Sequence, residues 1–332
     1  MWFPKPDLLL RPAVASDGDL IAAMCAQLSV DEGSPRASCF TAEIFRRDGF
    51  GKRPLFRCII AEFSGTPVGY ELHCPDYDTD LLCRAVYMAD LYVEKAARGR
   101  GLGRILMAAA ADDGRRSGAA LMSWTAFRHN TPALALYRRV GHEVNDLIEY
   151  VAEAEQFRAL AEAAEKPADG FRLRPAGAAD CAVLAAFLGA LFQEIGRAPV
   201  DDMEGRLRRD GFGQDPAYTA VIAETPEGVP IGYALFWPTY TTESAMSGGL
   251  LSDLFVVPAW RRHGAARALM AEAARHIAAA GGEFLVWAVD ADNGRAQQFY
   301  RTLSREAPEN VICACDLRQF AQLADDGRTW RR

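Results

Sequence analysis

A glycine-rich turn between a strand and a helix is the part of the sequence whose chemistry is clearest. The stretch Arg98-Gly99-Arg100-Gly101-Leu102-Gly103 follows the apolar Leu91-Tyr92-Val93 and leads into a helical pattern that includes Arg104. A helix N-terminus presents unpaired backbone N–H groups and a positive dipole end, and glycine lets the backbone itself approach an anion. An ordinary surface turn is the alternative interpretation. The turn recurs as Arg261-x-x-Gly264-x-Ala266, which favours a phosphate-binding loop in each half.

The turn occurs twice because most of the chain is an internal repeat. When the sequence is compared with itself at a shift of 163 residues, Arg11 aligns with Arg174 and Asp90 aligns with Asp253. A unit of this size is too large for a solenoid repeat and predicts two domains of one fold. The junction is expected where an Ala/Glu-rich stretch gives way to Lys166-Pro167-Ala168-Asp169-Gly170. We therefore predict domains at residues 1–167 and 171–332.

Hydrophobic patterns predict the elements that position the turn. Strands alternate with helices, which favours an α/β fold in which a mixed, mainly antiparallel central sheet is flanked by helices in each half. In the first copy the predicted strands are 8–11, 56–63, 67–73, 85–93, 119–126 and 146–151, and the predicted helices are 17–28, 103–117 and 132–140, with one more helix before Asp48.

Composition restricts the class of protein. The 332 residues carry a net charge of -7 and a pI near 5.4, which argues against nucleic acid as a partner. No apolar run approaches the roughly 20 residues that cross a bilayer, and the first residues lack the pattern of a signal peptide. The 8 cysteines never form a C-x-x-C pair, so no metal site is indicated. We expect a soluble cytoplasmic protein that does not bind membranes.

Taken together, these motifs resemble the GNAT family of acyl-CoA-dependent N-acetyltransferases. That family carries Arg/Gln-x-x-Gly-x-Gly/Ala after its fourth strand, and a tyrosine seven residues after an asparagine, as in Asn130 to Tyr137 and Asn293 to Tyr300. The resemblance implies that acetyl-CoA is the cofactor, with its pyrophosphate on the loop and its pantetheine between the splayed fourth and fifth strands. The implied cofactor-binding residues are Val93, Arg98, Gly99, Arg100, Gly101, Gly103, Arg104, Asn130, Val256, Arg261, Arg262, Gly264, Ala266, Arg267 and Asn293.

A narrower resemblance concerns the acceptor. Asp48-Gly49-Phe50-Gly51-x-x-Pro54 is similar to a segment of the diamine and polyamine acetyltransferases, including those acting on thialysine, and it recurs from Asp210 to Pro216. This implies a small primary amine as acceptor, such as a diamine or an ω-amino acid. The subfamily has an acidic pair in its fourth strand, and only the second acid, Asp90 or Asp253, is present here.

Acetyl transfer to an amine needs a base, a polarised carbonyl and a proton for the leaving thiolate. The resemblance makes Tyr137 and Tyr300 candidate general acids, with aromatic packing as the alternative for each. It gives the oxyanion contact to the backbone N–H of Val93. Asp90 or Glu71 could deprotonate the amine through water, and a solvated or salt-bridged carboxylate is the alternative.

Acidic side chains near these positions are candidates for substrate binding. Asp31 and Glu32 follow the first helix, where the diamine enzymes keep acids that receive the distal ammonium, and Asp78 lies in an acidic loop before the fourth strand. Glu71 is the fourth candidate, and an ordinary solvated acidic loop is the alternative for this set.

The two halves differ in their loops. The first keeps glycine at each loop position and has Gly141 after Tyr137, so we expect it to be catalytic. The second is expected to be a weaker site, a second active site or a folded partner, in an intrachain pseudo-dimer or a homodimer. Other functions stay open: a tandem enzyme acting on an amino sugar, an amino-thiol sugar or an aminoglycoside, or a non-catalytic acetyl-CoA-binding regulator.

Overall fold

The computed structural model describes residues 7–34, 38–163 and 170–330. The predicted junction between residues 167 and 171 lies outside the described residues except for Gly170. The first copy forms β1 (Leu8–Pro12), α1 (Gly18–Asp31), α2 (Ala42–Phe50), β2 (Arg57–Phe63), β3 (Thr66–Asp78), β4 (Cys83–Val93), α3 (Leu102–Arg116), β5 (Leu121–Phe127), α4 (Thr131–Val140), β6 (His142–Val144), β7 (Leu147–Glu153) and α5 (Ala154–Ala163).

The second copy repeats this order. Its elements are β8 (Arg172–Pro175), α6 (Cys181–Glu194), α7 (Met203–Gly211), β9 (Thr219–Glu224), β10 (Pro230–Thr241), β11 (Met246–Val256), α8 (Ala265–Ala279), β12 (Phe284–Asp290), α9 (Gly294–Tyr300), β13 (Arg305–Glu306), β14 (Asn310–Cys315) and α10 (Leu317–Arg328).

Two seven-stranded sheets form the centre of the molecule. Their strand orders are β1-β2-β3-β4-β5-β14-β6 and β8-β9-β10-β11-β12-β7-β13. Neighbouring strands are antiparallel except for β4 with β5 and β11 with β12. The predicted α/β class, with a mixed and mainly antiparallel sheet flanked by helices in each half, is confirmed.

Each sheet takes one strand from the other copy. Strand β7 pairs with β12, from Glu153 opposite Phe284 to Leu147 opposite Asp290, and β14 pairs with β5 of the first copy. The helices that follow are exchanged as well, because α5 packs on α8 and α10 packs on α3. The core of each sheet is therefore built from both copies, with Phe157 of α5 in the second core.

The β3–β4 and β10–β11 hairpins also reach across to the other copy. Tyr77 of β3 donates to Asp210 at 3.3 Å, and Tyr240 of β10 donates to Asp48 at 2.9 Å. These aspartates begin the repeated Asp-Gly-Phe-Gly segments, so one role of these segments is to hold the partner hairpin. Each hairpin tip then lies beside the central strand of the other copy.

In both sheets the parallel pair separates partway along its length. Strands β4 and β5 pair only over Ala85–Met88, and β11 and β12 pair only at Gly249 and Leu250. Beyond these pairs the strands diverge towards Val93 and Val256. The gap exposes backbone groups to which an extended ligand could bind. Among the described residues, no helix is both long and apolar enough for a membrane crossing.

Candidate active site

The two glycine-rich loops have the same backbone shape. Gly101 (φ 83°) and Gly264 (φ 87°) are the N-cap residues of α3 and α8, both in the left-handed region. A Cβ built on Gly99 or Gly264 would meet no atom within 4 Å, so the space in front of each helix is open. The first backbone N–H groups of a helix lack intrahelical partners. Both loops therefore present unpaired N–H groups to open space.

An arginine from each loop closes against the preceding strand. Arg98 Nε donates to the Val93 carbonyl and Arg261 Nε to the Val256 carbonyl, each at 2.7 Å. The Arg98 guanidinium also pairs with Asp31, as that of Arg261 does with Glu194. Burial would raise the pKa of Asp31, but hydrogen bonds from Arg98, Gln27 and Lys95 outweigh it and lower the pKa. Asp31 therefore braces the loop and lines neither of the two cavities described below.

Other predicted cofactor residues lie around the same loops. Arg104 pairs with Asp326 at 2.6 Å, and Arg267 donates to Thr302 at 3.1 Å. A Cβ on Gly103 would approach Leu136 to 2.9 Å, which explains glycine at that position by close packing. Arg100 is exposed, and Arg262 and Ala266 line the larger cavity.

The asparagine–tyrosine spacing has a structural cause. Asn130 is the N-cap of α4 and accepts a hydrogen bond from the Ala133 N–H at 3.3 Å. Asn293 caps α9 in the same way, with the Ala296 N–H at 3.1 Å. Asparagine is among the preferred N-cap residues. These caps fix the start of the helix that carries the tyrosine.

The tyrosines pack on matching tryptophans but have different further neighbours. The ring centroids of Tyr137 and Trp124 lie 5.3 Å apart, as do those of Tyr300 and Trp287. The ring centroid of Tyr300 also lies 5.6 Å from that of Tyr150, on the exchanged strand β7. In the first half, the residue that matches Tyr150 is Cys313, which lies beside Tyr137. Burial raises the pKa of both tyrosines, so each keeps the proton that a general acid must donate.

The matching aspartates of the central strands differ in their hydrogen bonding. Both oxygens of Asp90 accept hydrogen bonds, one from Tyr70 at 2.6 Å and one from Thr242 of the other copy. Asp253 Oδ1 accepts from Thr79 at 3.1 Å. Oδ2 has no well-aligned hydrogen-bond donor among the described residues, but the hydroxyl of Tyr233, the counterpart of Tyr70, lies close enough to lower the pKa of Asp253. Burial raises the pKa of both aspartates, that of Asp253 to about 7. Asp253 is thus poised to exchange a proton near neutral pH.

A cavity of about 1360 Å³ surrounds the second-copy motifs. Its wall includes the loop at Arg261 and Gly264, the side chains of Asp253 and Tyr300, and the diverging strands β11 and β12. Small-molecule sites commonly measure roughly 300–1,000 Å³. The large cavity therefore has room for a cofactor together with a second ligand.

A smaller cavity of about 170 Å³ surrounds the first-copy residues Asp90, Tyr137 and Glu32. Its lining does not include the loop at Arg98–Arg104. Glu32 lies 3.4 Å from the Asn130 amide, and burial, together with the charges of Asp90 and Glu243, raises the pKa of Glu32 to about 7. The two cavities adjoin, because both are lined by Tyr87, Thr125, Tyr240, Thr241, Glu243 and Asn310.

Besides Asp31, two more predicted substrate residues lie away from the small cavity. Asp78 lines the large cavity instead, where its carboxylate accepts from the Leu81 N–H at 2.7 Å and burial raises the pKa of Asp78 to about 6. Glu71 lines neither cavity. It is fully buried and pairs with His73 at 3.0 Å, and His73 lies 3.3 Å from Asp113. Glu71 is thus part of a buried ion-pair cluster.

Sequence reasoning missed the residues that cross between the copies. Thr79, Thr242 and Glu149 line a cavity or bind a site carboxylate, yet each belongs to the opposite copy. A local motif cannot reveal such contacts, because they arise from strand and hairpin exchange. In the ranges that the structure describes, no group of three or more His, Cys, Asp or Glu is placed to hold a metal ion.

The fold and the site define the class of protein. The model of the acetyltransferase (GNAT) family matches residues 16–142 and 186–304. These segments make up more than half of the chain, which therefore belongs to this family and is an acetyltransferase that acts on an amine. Members of the family generally take the acetyl group from acetyl-CoA.

Two curated relatives each match less than half of the chain. The chain is 30% identical over 164 residues to a thialysine N-epsilon-acetyltransferase of Mus musculus, covering 46% of this chain and 96% of that protein. It is 30% identical over 142 residues to the Sus scrofa protein of the same name, covering 40% of this chain and 83% of that protein.

Solved structures resemble both halves together. A GCN5-related N-acetyltransferase from Sphaerobacter thermophilus aligns with a TM-score of 0.53 at 20% identity, over 96% of this chain and 97% of that one. A tandem GNAT protein from the clavulanic acid biosynthesis pathway aligns with a TM-score of 0.50 at 17% identity, over 94% and 99%. At these identities the likeness supports the tandem fold alone.

Proposed function

We propose that this protein transfers an acetyl group from acetyl-CoA to a small primary amine, and that the large cavity of the second half is the working site. The observation that carries the proposal is the continuity of this cavity. Its single wall joins the glycine-rich loop at Gly264, the side chain of Tyr300 and the buried carboxylate of Asp253.

Each residue supplies one need of the reaction. Bound acetyl-CoA would supply the thioester carbonyl that the amine nitrogen attacks, forming the C–N bond as the C–S bond breaks. The carboxylate of Asp253 accepts, through water, the proton that the nitrogen loses. The backbone N–H of Val256 polarises the carbonyl, the role that the resemblance implies for Val93 in the first half. Tyr300 donates its phenolic proton to the departing sulfur.

The charge of the cavity supports a cationic acceptor. Asp78, Glu149 and Asp253 line it, and the arginines Arg261, Arg262 and Arg267 lie at its loop end. A diamine or an ω-amino acid places an ammonium near the acids, while the phosphates of the cofactor meet the arginines. The thialysine acetyltransferases among the relatives agree with this choice of substrate class.

The sequence favours the first half as catalytic, whereas the cavity favours the second. In the first half, Thr242 and Tyr70 occupy both oxygens of Asp90, and the cavity around Tyr137, which adjoins the large one, measures about 170 Å³ and does not reach the loop at Arg98–Arg104. Under this proposal Asp90, Tyr137 and Glu32 form a closed counterpart of the working site.

The test is release of free thiol from acetyl-CoA in the presence of diamines, ω-amino acids, amino sugars and aminoglycosides. We expect turnover with a diamine or an ω-amino acid. Turnover confined to amino sugars or aminoglycosides would contradict the substrate class. Tight acetyl-CoA binding without turnover on any amine would contradict the enzyme and support a regulator that only senses acetyl-CoA.

A further inference from the structure

Glu149 belongs to the first copy but lines the large cavity of the second. It lies on the exchanged strand β7, opposite Ala288 of β12. The ring of its neighbour Tyr150 stacks on Trp287, with centroids 6.2 Å apart, and lies 5.6 Å, between centroids, from the ring of Tyr300. Successive side chains of a strand point to opposite faces of the sheet. The Glu149 side chain therefore lies on the face of β7 opposite to the Tyr150 ring, and this face lines the cavity.

The carboxylate of Glu149 has an amide partner but no cation. Glu149 Oε2 accepts a hydrogen bond from Asn310 Nδ2 at 2.6 Å, and Asn310 begins the other exchanged strand, β14. Among the described residues, no lysine, arginine or histidine forms an ion pair with it. Burial raises the pKa of Glu149, Glu309 raises it further, and Asn310 and Arg305 lower it. Glu149 is half-buried, and Arg305 acts on it without forming an ion pair, so a cationic ligand at its free oxygen would stabilise the ionised carboxylate.

Two residues that line the same cavity each carry a polar atom without a well-aligned hydrogen-bond partner. Asp253 is 5% exposed and Trp287 is 2% exposed, yet Asp253 Oδ2 and Trp287 Nε1 have no hydrogen-bond partner among the described residues. Buried polar groups are nearly always paired in folded proteins.

The repeat gives an internal comparison for Glu149. The matching residue of the second copy is Ile312, which lies opposite Thr125 of β5 just as Glu149 lies opposite Ala288 of β12. The fold thus accepts an apolar side chain at this position. The carboxylate of Glu149 is not required to build the strand.

We propose that Glu149 binds a second positively charged group of the amine that is acetylated in the large cavity, and so selects diamine-like acceptors over monoamines. This inference rests on the proposed function, since it deepens the substrate choice of the same site. The ligand group is an ammonium, which would donate to the carboxylate oxygen that Asn310 leaves unoccupied.

The experiment compares kcat/KM for a diamine with that for the monoamine of equal chain length. A hydrogen bond to a charged group contributes enough to change affinity about tenfold. We expect Glu149→Gln to lower the preference for the diamine by about this factor, through KM. Glu149→Asp should restore part of it. Glu283→Gln, at an exposed position, is the control and should keep the wild-type preference.

Binding of the diamine, measured by calorimetry on the same variants, gives a second result that does not depend on turnover. Weaker binding to Glu149→Gln than to the wild type supports the inference even if acetylation fails. An unchanged preference, or binding that is equal or absent in both proteins, overturns it. Failure of the proposed function is recognised separately, as binding without any release of thiol.

Discussion

The two halves carry the same motifs in different surroundings. In the first, hydroxyls from Tyr70 and Thr242 occupy both oxygens of Asp90, and the cavity measures about 170 Å³. In the second, Thr79 donates to one oxygen of Asp253, the other oxygen lacks a well-aligned donor although Tyr233 lies beside it, and the cavity measures about 1360 Å³. The difference teaches that the spelling of a motif does not decide whether its site is open.

The loops illustrate the same point. Arg262 stands where the first loop has Gly99, and it adopts a similar left-handed backbone, with φ 67° against 75°. The loss of glycine at this position has therefore not changed the shape of the loop. A non-glycine residue in this region costs roughly 1–2 kcal/mol, a modest strain that the surrounding fold tolerates.

The largest expected effect separates the two aspartates. We expect Asp253→Asn to lower kcat/KM about 10²- to 10³-fold, the usual scale for losing a general base. In the wild type, kcat/KM should rise as the pH passes about 7, because Asp253 must be ionised to accept a proton. Asp90→Asn is the matched control and should leave this pH profile in place. A loss of equal size in Asp90→Asn would break the comparison.

The next effect concerns a cluster that the second half lacks, because Ala234 and Phe236 replace Glu71 and His73. Burial disfavours the His73 imidazolium, but Glu71 and Asp113 outweigh it and raise the pKa of His73 to about 9. Its ordinary pKa is 6.5, so the stabilisation is complete below that pH and is lost as the pH rises through about 9.

We therefore expect His73→Phe to lower the free energy of unfolding by about 3 kcal/mol near pH 6, the scale for breaking a buried ion pair. The difference from the wild type should shrink above pH 9. Urea denaturation at both pH values measures it, with His142→Phe at an exposed position as control. A loss that does not depend on pH would contradict the charged state of His73.

A glycine pair compares the two loops directly. Alanine at Gly264 or Gly101 strains a backbone with φ above 80° by roughly 1–2 kcal/mol. Both variants should lose that much stability in a denaturation experiment. Only Gly264→Ala should raise KM for acetyl-CoA, by about tenfold. A raised KM in Gly101→Ala alone would move the cofactor site to the first half.

The smallest expected effect tests the crossed hairpins. Thr79→Val removes a hydrogen bond that favours the ionised form of Asp253. The pKa of Asp253 should then rise further, and kcat/KM at pH 7 should fall about threefold, a fraction of one pKa unit. Thr242→Val, the matched change, should lower stability by about 1–2 kcal/mol without moving the pH profile. If the pH profile of kcat/KM in Thr79→Val matched that of the wild type, Asp253 would not be the group whose ionisation limits activity at low pH.

Local patterns predicted much of the fold and of the candidate site. The strand predicted at 85–93 is β4 (Cys83–Val93), and the helix predicted at 132–140 is α4 (Thr131–Val140). These elements follow from hydrophobic periodicity and from caps such as Asn130, which are read within a few residues. The loop at Arg98–Gly103 and the tyrosine spacing could be read for the same reason.

Long-range pairing could not be read. The alternation at 146–151 predicts a strand, but it does not say which sheet receives it, and β7 joins the sheet of the other copy. The same limit applies to Asp31, whose acidity suggests substrate binding while its geometry pairs it with Arg98. Partners distant in sequence are set by packing of the whole chain.

The central claim is that acetyl transfer takes place in the second half, and the two tyrosines test it most directly. The measurement is kcat for an acetylated amine, together with acetyl-CoA binding, in Tyr300→Phe and Tyr137→Phe. Loss of a general acid commonly costs about 10²-fold or more. We predict that loss in Tyr300→Phe with acetyl-CoA binding retained, and a change below about twofold in Tyr137→Phe. The opposite result, with turnover lost only in Tyr137→Phe, would contradict the account and assign catalysis to the first half.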